Sequence, residues 1–154
     1  MSKQQRKYNL GIAGEYFVTA ELIRRGISAS MTYGNAKKAD VVAFSPEQSK
    51  CAVIEVKTTG AKRWMLGKEP ESNSLIWIFV LLEGTDSPRY FIMTGKQLNE
   101  VLAPENIAYE KRYFEKHGKA RTMKQRAAGV WSLKYALAEP YENNWEIIES
   151  KFGG

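Results

Sequence analysis

The sequence predicts a mixed α/β domain in which helices flank a central β-sheet. Three observations carry this reading. Residues 8–26, YNLGIAGEYFVTAELIRRG, place apolar side chains at helical spacing. Residues 39–44 and 51–59 are two short apolar strands joined by SPEQSK, the pattern of a β-hairpin. SLIWIFVLL, at 74–82, is a continuous apolar run of strand length, expected of a strand covered on both faces.

A chain of 154 residues fits one domain, 1–154, with a core at about 8–103 and a basic C-terminal extension at about 104–154. Apolar content of 44%, with four Trp, eight Tyr and six Phe, argues for a folded protein. No run of about 18 apolar residues is present, so no membrane span is expected. The N-terminus, MSKQQRKYNLG, lacks the apolar core of a signal peptide. Cys51 is the one cysteine, which rules out an intrachain disulfide and a cysteine metal site. A reducing cytoplasm is the simplest location for such a chain. The net charge of +6 favours a polyanionic partner.

In order along the chain, Leu10, Ala13, Phe17 and Ala20, with Ile23 or Arg24, predict the apolar stripe of the first helix. Asn9 is a candidate cap, and Gly26 after Arg24 and Arg25 a stop signal. Gly11 and Gly14 are each costly in a helix, by about 1 kcal/mol relative to Ala, so they predict close approach to another backbone. Glu15 shares a face with Val18 and Leu22 and is expected to point inward. ISASMTY, 27–33, predicts the first strand, with a turn at Gly34-Asn35.

A symmetric hairpin centred between Glu47 and Gln48 pairs residues whose numbers sum to 95, and Asp40 and Glu55 satisfy that sum. On this register they stand opposite each other on one sheet face, with Cβ atoms roughly 5 Å apart. Lys57, two residues on, returns to the same face. A slip of one residue would break the arrangement.

Beyond the hairpin, 60–73 reads as a loop near the open end of the sheet. RYFIMT predicts a strand, and Thr94 caps a helix, GKQLNEVL, that ends before Pro104. Residues 104–118 read as a further helix with Ile107, Tyr109, Tyr113 and Phe114 for packing. Residues 118–128 read as basic and irregular, VWSLKYAL as either a strand or a helix, and YENNWEIIESKF as an amphipathic segment.

An acid in the middle of an apolar strand is costly unless compensated. Two facing carboxylates repel unless protonated or bridged by a cation. Oxygen-only ligands on a partly hydrated site suit Mg²⁺ or Mn²⁺. A nearby ammonium can stabilise charge growing on a phosphate. These are the parts that phosphodiester hydrolysis requires.

At these residues the chain resembles the PD-(D/E)xK nuclease superfamily, with its restriction-endonuclease-like fold. The resemblance lies in Asp40, in Glu55-Val56-Lys57 within VIEVKTT, and in Gly14-Glu15 on the preceding helix, and spans roughly the first 95 residues. Ala39 stands where the family's name-giving proline would be. The resemblance implies a divalent-metal-dependent endonuclease acting on DNA, of restriction, repair, junction-resolving or intron-borne type. It implies that Asp40 and Glu55 bind the metal, that Val56 adds its backbone carbonyl, and that Glu15 binds directly or through water. Lys57 would then assist the attacking water or the transition state. By analogy, so small a domain would work as a homodimer or tetramer, so that two strands are cut.

Plainer readings compete with each of these. An ExK on a strand is most often a solvated edge pair. Here it is embedded among Val53, Ile54 and Val56, with an acid at the paired position, which favours catalysis. Asp40 alternatively caps the turn after Asn35, and a helix glutamate such as Glu15 is by default solvated. Seven Lys/Arg against Glu115 alone between Lys111 and Arg126, among them Arg121 and Lys124, form either a solvated surface or a phosphate-contact surface. Lys62, Arg63 and Trp64, just after the motif strand, and Lys37 and Lys38, flanking Asp40, are the nearer candidates for DNA contact. His117, without an identifiable partner, reads as surface. The alternative function is a non-catalytic DNA-binding or scaffold protein that keeps the nuclease fold.

Overall fold

The computed structural model describes residues 1–33, 39–67, 69–70, 74–127, 129 and 131–153. The expected turn at Gly34-Asn35 and the candidate contacts Lys37 and Lys38 lie outside the described residues. The chain opens with α1 (Lys3–Arg24), which begins well before the expected start. Its cap is Ser2, whose hydroxyl accepts a hydrogen bond from the Gln5 amide, and not Asn9. The strands β1 (Ser28–Met31), β2 (Val41–Phe44), β3 (Cys51–Thr59), β4 (Arg63–Met65), β5 (Ile76–Leu81) and β6 (Arg89–Thr94) follow. After them come α2 (Gly95–His117), α3 (Met123–Ala127), β7 (Ser132–Lys134), α4 (Tyr135–Ala138), a 3₁₀ turn at Glu139–Tyr141 and α5 (Glu146–Lys151).

Five strands form the central sheet in the order β1-β2-β3-β5-β6. Only the β3–β5 pair is parallel, so the sheet is mixed, and the expected fold class holds. β4 and β7 pair separately as a small second sheet. β4 falls within 60–73, expected to be a loop, and VWSLKYAL, left open between strand and helix, forms β7 and then α4. A three-residue strand leaves too short a period to show in sequence.

The sheet is covered on both faces, as the run at 74–82 predicted. β5 is buried along its whole length. On one face, Val18 and Leu22 of α1 and Ile148 of α5 pack on Val41, Ala43, Ile54, Val56, Ile76 and Ile78. On the other, Leu98 and Leu102 of α2 pack with Trp64, Trp77, Phe79, Phe91, Met93, Leu133 and Ala138. The stretch expected as an extension thus supplies Leu133, Ala138, Trp145 and Ile148 to the interior.

Helix α1 turns a different stripe inward from the expected one. Phe17 and Ile23 are exposed, while Gly14, Glu15, Val18 and Leu22 are buried. The reason is Gly14. A Cβ there would lie 1.8 Å from Thr58 Oγ1, so only glycine lets this face of the helix close on β3. Helix α2 also departs from expectation, because it runs unbroken through Pro104. Proline removes one ladder hydrogen bond to the carbonyl four residues back, at Glu100. Pro104 is exposed, so water can solvate that carbonyl.

Arg89 ties the C-terminal segment to β6. It donates to Glu142 from Nε and Nη2, each at 2.8 Å, and to the Tyr135 hydroxyl at 2.9 Å. These hydrogen bonds hold the Glu142 carboxyl below its ordinary value of 4.5. A lowered folded pKa means that the stabilisation is complete above the ordinary value and is lost as pH falls through the lowered one. Glu142→Gln is therefore expected to cost about 1 kcal/mol at neutral pH, the group being partly exposed. Its melting temperature should also fall less steeply than the parent's below pH 4.5, which thermal unfolding at several pH values would show.

Candidate active site

The predicted register is observed: Val41 pairs with Ile54, Val42 with Val53, Ala43 with Ala52 and Phe44 with Cys51, each pair summing to 95. The ladder stops at Val41, however, one residue short of Asp40. Asp40 keeps backbone contacts of its own. Its amide donates to the Ile54 carbonyl at 2.9 Å, and its carbonyl accepts from the Thr32 amide at 2.9 Å. Its carboxylate then accepts from the Val56 amide, Oδ2 to N at 2.8 Å. A side chain thus takes the place that a strand carbonyl would fill, so Asp40 is not the ladder partner of Glu55. The contact satisfies one buried amide of β3 and fixes a carboxylate, 8% exposed, at the notch where β2 ends. The sequence signal missed here was the short polar residue at a strand end, which competes for backbone donors.

Along β3, Ala52, Ile54 and Val56 are buried, while Val53, Glu55 and Lys57 on the opposite face are half-buried. The parallel register places Glu55 beside Trp77 and Lys57 beside Phe79 of β5. Lys57 Nζ lies 2.9 Å from Glu55 Oε1. The two charged groups are thus held in contact at 29% and 23% side-chain exposure, against an apolar strand. β3 is an interior strand of the sheet, but the β2 ladder ends at Ile54, so Glu55 and Lys57 are paired with β5 alone.

Glu15 is buried on α1, next to the glycine that meets Thr58, so α1 carries it to the level of the end of β3. Tyr33, just past β1, has its hydroxyl pushed up by the neighbouring Tyr16 of α1. Among the described residues no three acidic, histidine or cysteine side chains gather into a cation cage. The donors available at the notch are carboxylate and carbonyl oxygens. A cation held here by one or two carboxylates would complete its shell with water and substrate oxygens, which is the habit of Mg²⁺ and not of Ca²⁺.

The outlying candidates separate clearly. Trp64 is a core side chain, 1% exposed, donating from Nε1 to the Val80 carbonyl at 2.9 Å and packing edge-on against Phe79 and Phe91. It sits on β4, whose alternation turns Arg63 and Met65 outward and Trp64 in. Arg121 is bound to Glu110 and stacked 4.6 Å from the Tyr109 ring centre, so it braces α2. Lys62 lies 3.6 Å from Glu83 and over the Tyr135 ring. Arg63 and Lys124 are exposed with no ion-pair partner among the described residues. Tyr109, Phe114 and Ile107, expected to pack, are exposed instead. His117 is exposed, with its ring against Tyr113.

No family model matches the chain, and no curated protein matches it in sequence. Solved structures do match, and the likeness is to its α/β architecture. One is Hjc, a Holliday junction resolvase of the archaeal hyperthermophile Archaeoglobus fulgidus. It is similar with a TM-score of 0.52 at 14% identity, over 90% of this chain and 95% of that one. Another is the bacterial homing endonuclease I-Ssp6803I, with a TM-score of 0.52 at 11% identity, over 97% and 94%. At such identities the likeness is one of fold. Among the described residues no helix is long and apolar enough to cross a membrane.

Proposed function

We propose that the chain is a divalent-metal-dependent nuclease that hydrolyses DNA phosphodiester bonds through Glu15, Asp40, Glu55 and Lys57. The observation that carries this is the Glu55–Lys57 contact on an interior strand, beside the notch where Asp40 is fixed to the Val56 amide. Hydrogen-bonded charge in this setting contributes little to stability, and its worth lies in chemistry. Lys57, held by Glu55, presents an ammonium to a scissile phosphate and orients the attacking water. Asp40 and Glu55, with the Val56 carbonyl, would hold Mg²⁺ or Mn²⁺, and Glu15 would reach it directly or through water. When bound, the cation supplies Lewis acidity at the phosphoryl group. Water adds its oxygen to phosphorus and gives up a proton to solvent, the bond to the leaving oxygen breaks, and that oxygen departs with a proton drawn from solvent.

The fold shared with a junction resolvase and a homing endonuclease supports this reading. Titration calorimetry tests its metal half. The parent chain should bind Mn²⁺ or Mg²⁺, and the Asp40→Ala, Glu55→Ala double variant should not. A parent that binds neither ion would instead be a DNA-binding scaffold.

A further inference from the structure

The stripe of α1 that meets the sheet continues past it. Gly14, Val18 and Leu22 are buried at four-residue spacing, and the same helix face continues backwards, in steps of three and four residues, through Gly11, Lys7 and Gln4. Gly14 is explained by Thr58. Gly11 is not: a Cβ there would meet nothing within 4 Å, and its backbone is ordinary helix. A glycine in a helix interior is destabilising relative to alanine. Nothing among the described residues recovers that loss.

The charges on the same turns have the same character. The first 14 residues hold Lys3, Arg6 and Lys7 and no acid. All three cations are exposed, and none has an ion-pair partner among the described residues, whereas Arg24 and Arg25 at the far end both bind Glu21. Cations in the first turns oppose the helix dipole, so they too work against the isolated fold. Both features become favourable against a polyanion whose backbone comes close. The span from Lys3 to Gly11 is about 12 Å at 1.5 Å per residue, room for about three nucleotide steps at 3.4 Å. Glu15 stands one turn beyond Gly11, so a strand laid along this face is led to the candidate site.

We infer that the N-terminal turns of α1 form a contact face for the DNA sugar–phosphate backbone, with Lys7 and Gln4 as polar contacts and Gly11 as the point of closest approach. The inference rests on the nuclease reading above. Its test is fluorescence anisotropy of a labelled duplex and a labelled four-way junction at several salt concentrations, with cation omitted, using the full chain and its Gly11→Ala and Lys7→Ala variants. Gly11→Ala should melt at a higher temperature than the parent, so misfolding does not cloud the result. It should bind DNA at least about five-fold more weakly, the low end of what an intruding methyl group costs. Lys7→Ala should reduce the slope of log affinity against log salt by about 0.9. DNA affinity equal to the parent's in Gly11→Ala would overturn the inference while leaving the nuclease reading intact. A loss confined to self-association, seen by sedimentation, would overturn it in favour of a second copy on this face. A parent that binds neither DNA would overturn both readings.

Discussion

Glu55→Ala is expected to lower Mg²⁺-dependent DNA cleavage by at least about 100-fold, the scale on which a positioned charge or proton carrier contributes to a rate. Lys57→Ala should do the same. Neither variant is expected to unfold the chain. Both side chains are partly solvated, and the lost ion pair is worth about 1 kcal/mol or less. Cleavage of supercoiled DNA followed by gel, alongside thermal melting of each variant, separates the two effects. A variant that melts normally and cuts like the parent would show that this pair is structural.

Trp64→Ala is expected to have the largest effect on stability, a loss of about 3–5 kcal/mol. The side chain is fully enclosed, meets Phe79 and Phe91 edge-on at 5.6 and 5.3 Å between ring centres, and satisfies the Val80 carbonyl. Truncation empties that space and removes the hydrogen bond from Nε1 to the Val80 carbonyl. Because domain stability is on the order of 5–15 kcal/mol, urea unfolding should show a large drop in midpoint. Trp64→Phe, which keeps the ring but not the donor, should fall between. Midpoints unchanged in Trp64→Ala would place the residue at the surface, in contact with substrate.

Glu55 and Lys57 on one side and Trp64 on the other show where the sequence was legible and where it was not. The hairpin register followed from its symmetry and alternation, and β3 carries its three motif residues where period two put them. Trp64 was misread because a polar, glycine-containing stretch gives no hint that β4 will pair with β7, some 70 residues away in sequence. The stripe on α1 was misread for a related reason. Phe17 and Ile23 outweigh two glycines in hydrophobicity, but the close contact of Gly14 with Thr58 decides which face turns inward. At Ala39 and Asp40 the strand assignment ran two residues too far, since a carboxylate that captures the Val56 amide ends the ladder itself. Long-range pairing, close approach and side-chain-to-backbone capture are tertiary facts, and each left only a faint local trace.

The central claim is that the notch between β2 and β3 is a metal-dependent phosphodiesterase site. The measurement that tests it most directly is incubation of the purified chain with supercoiled, single-stranded and four-way-junction DNA, with Mg²⁺ and with Mg²⁺ plus chelator. The account predicts cleavage of at least one of these DNAs with Mg²⁺, none with chelator, and none by Glu55→Ala. DNA that is bound but left intact by the parent under every cation condition would contradict it.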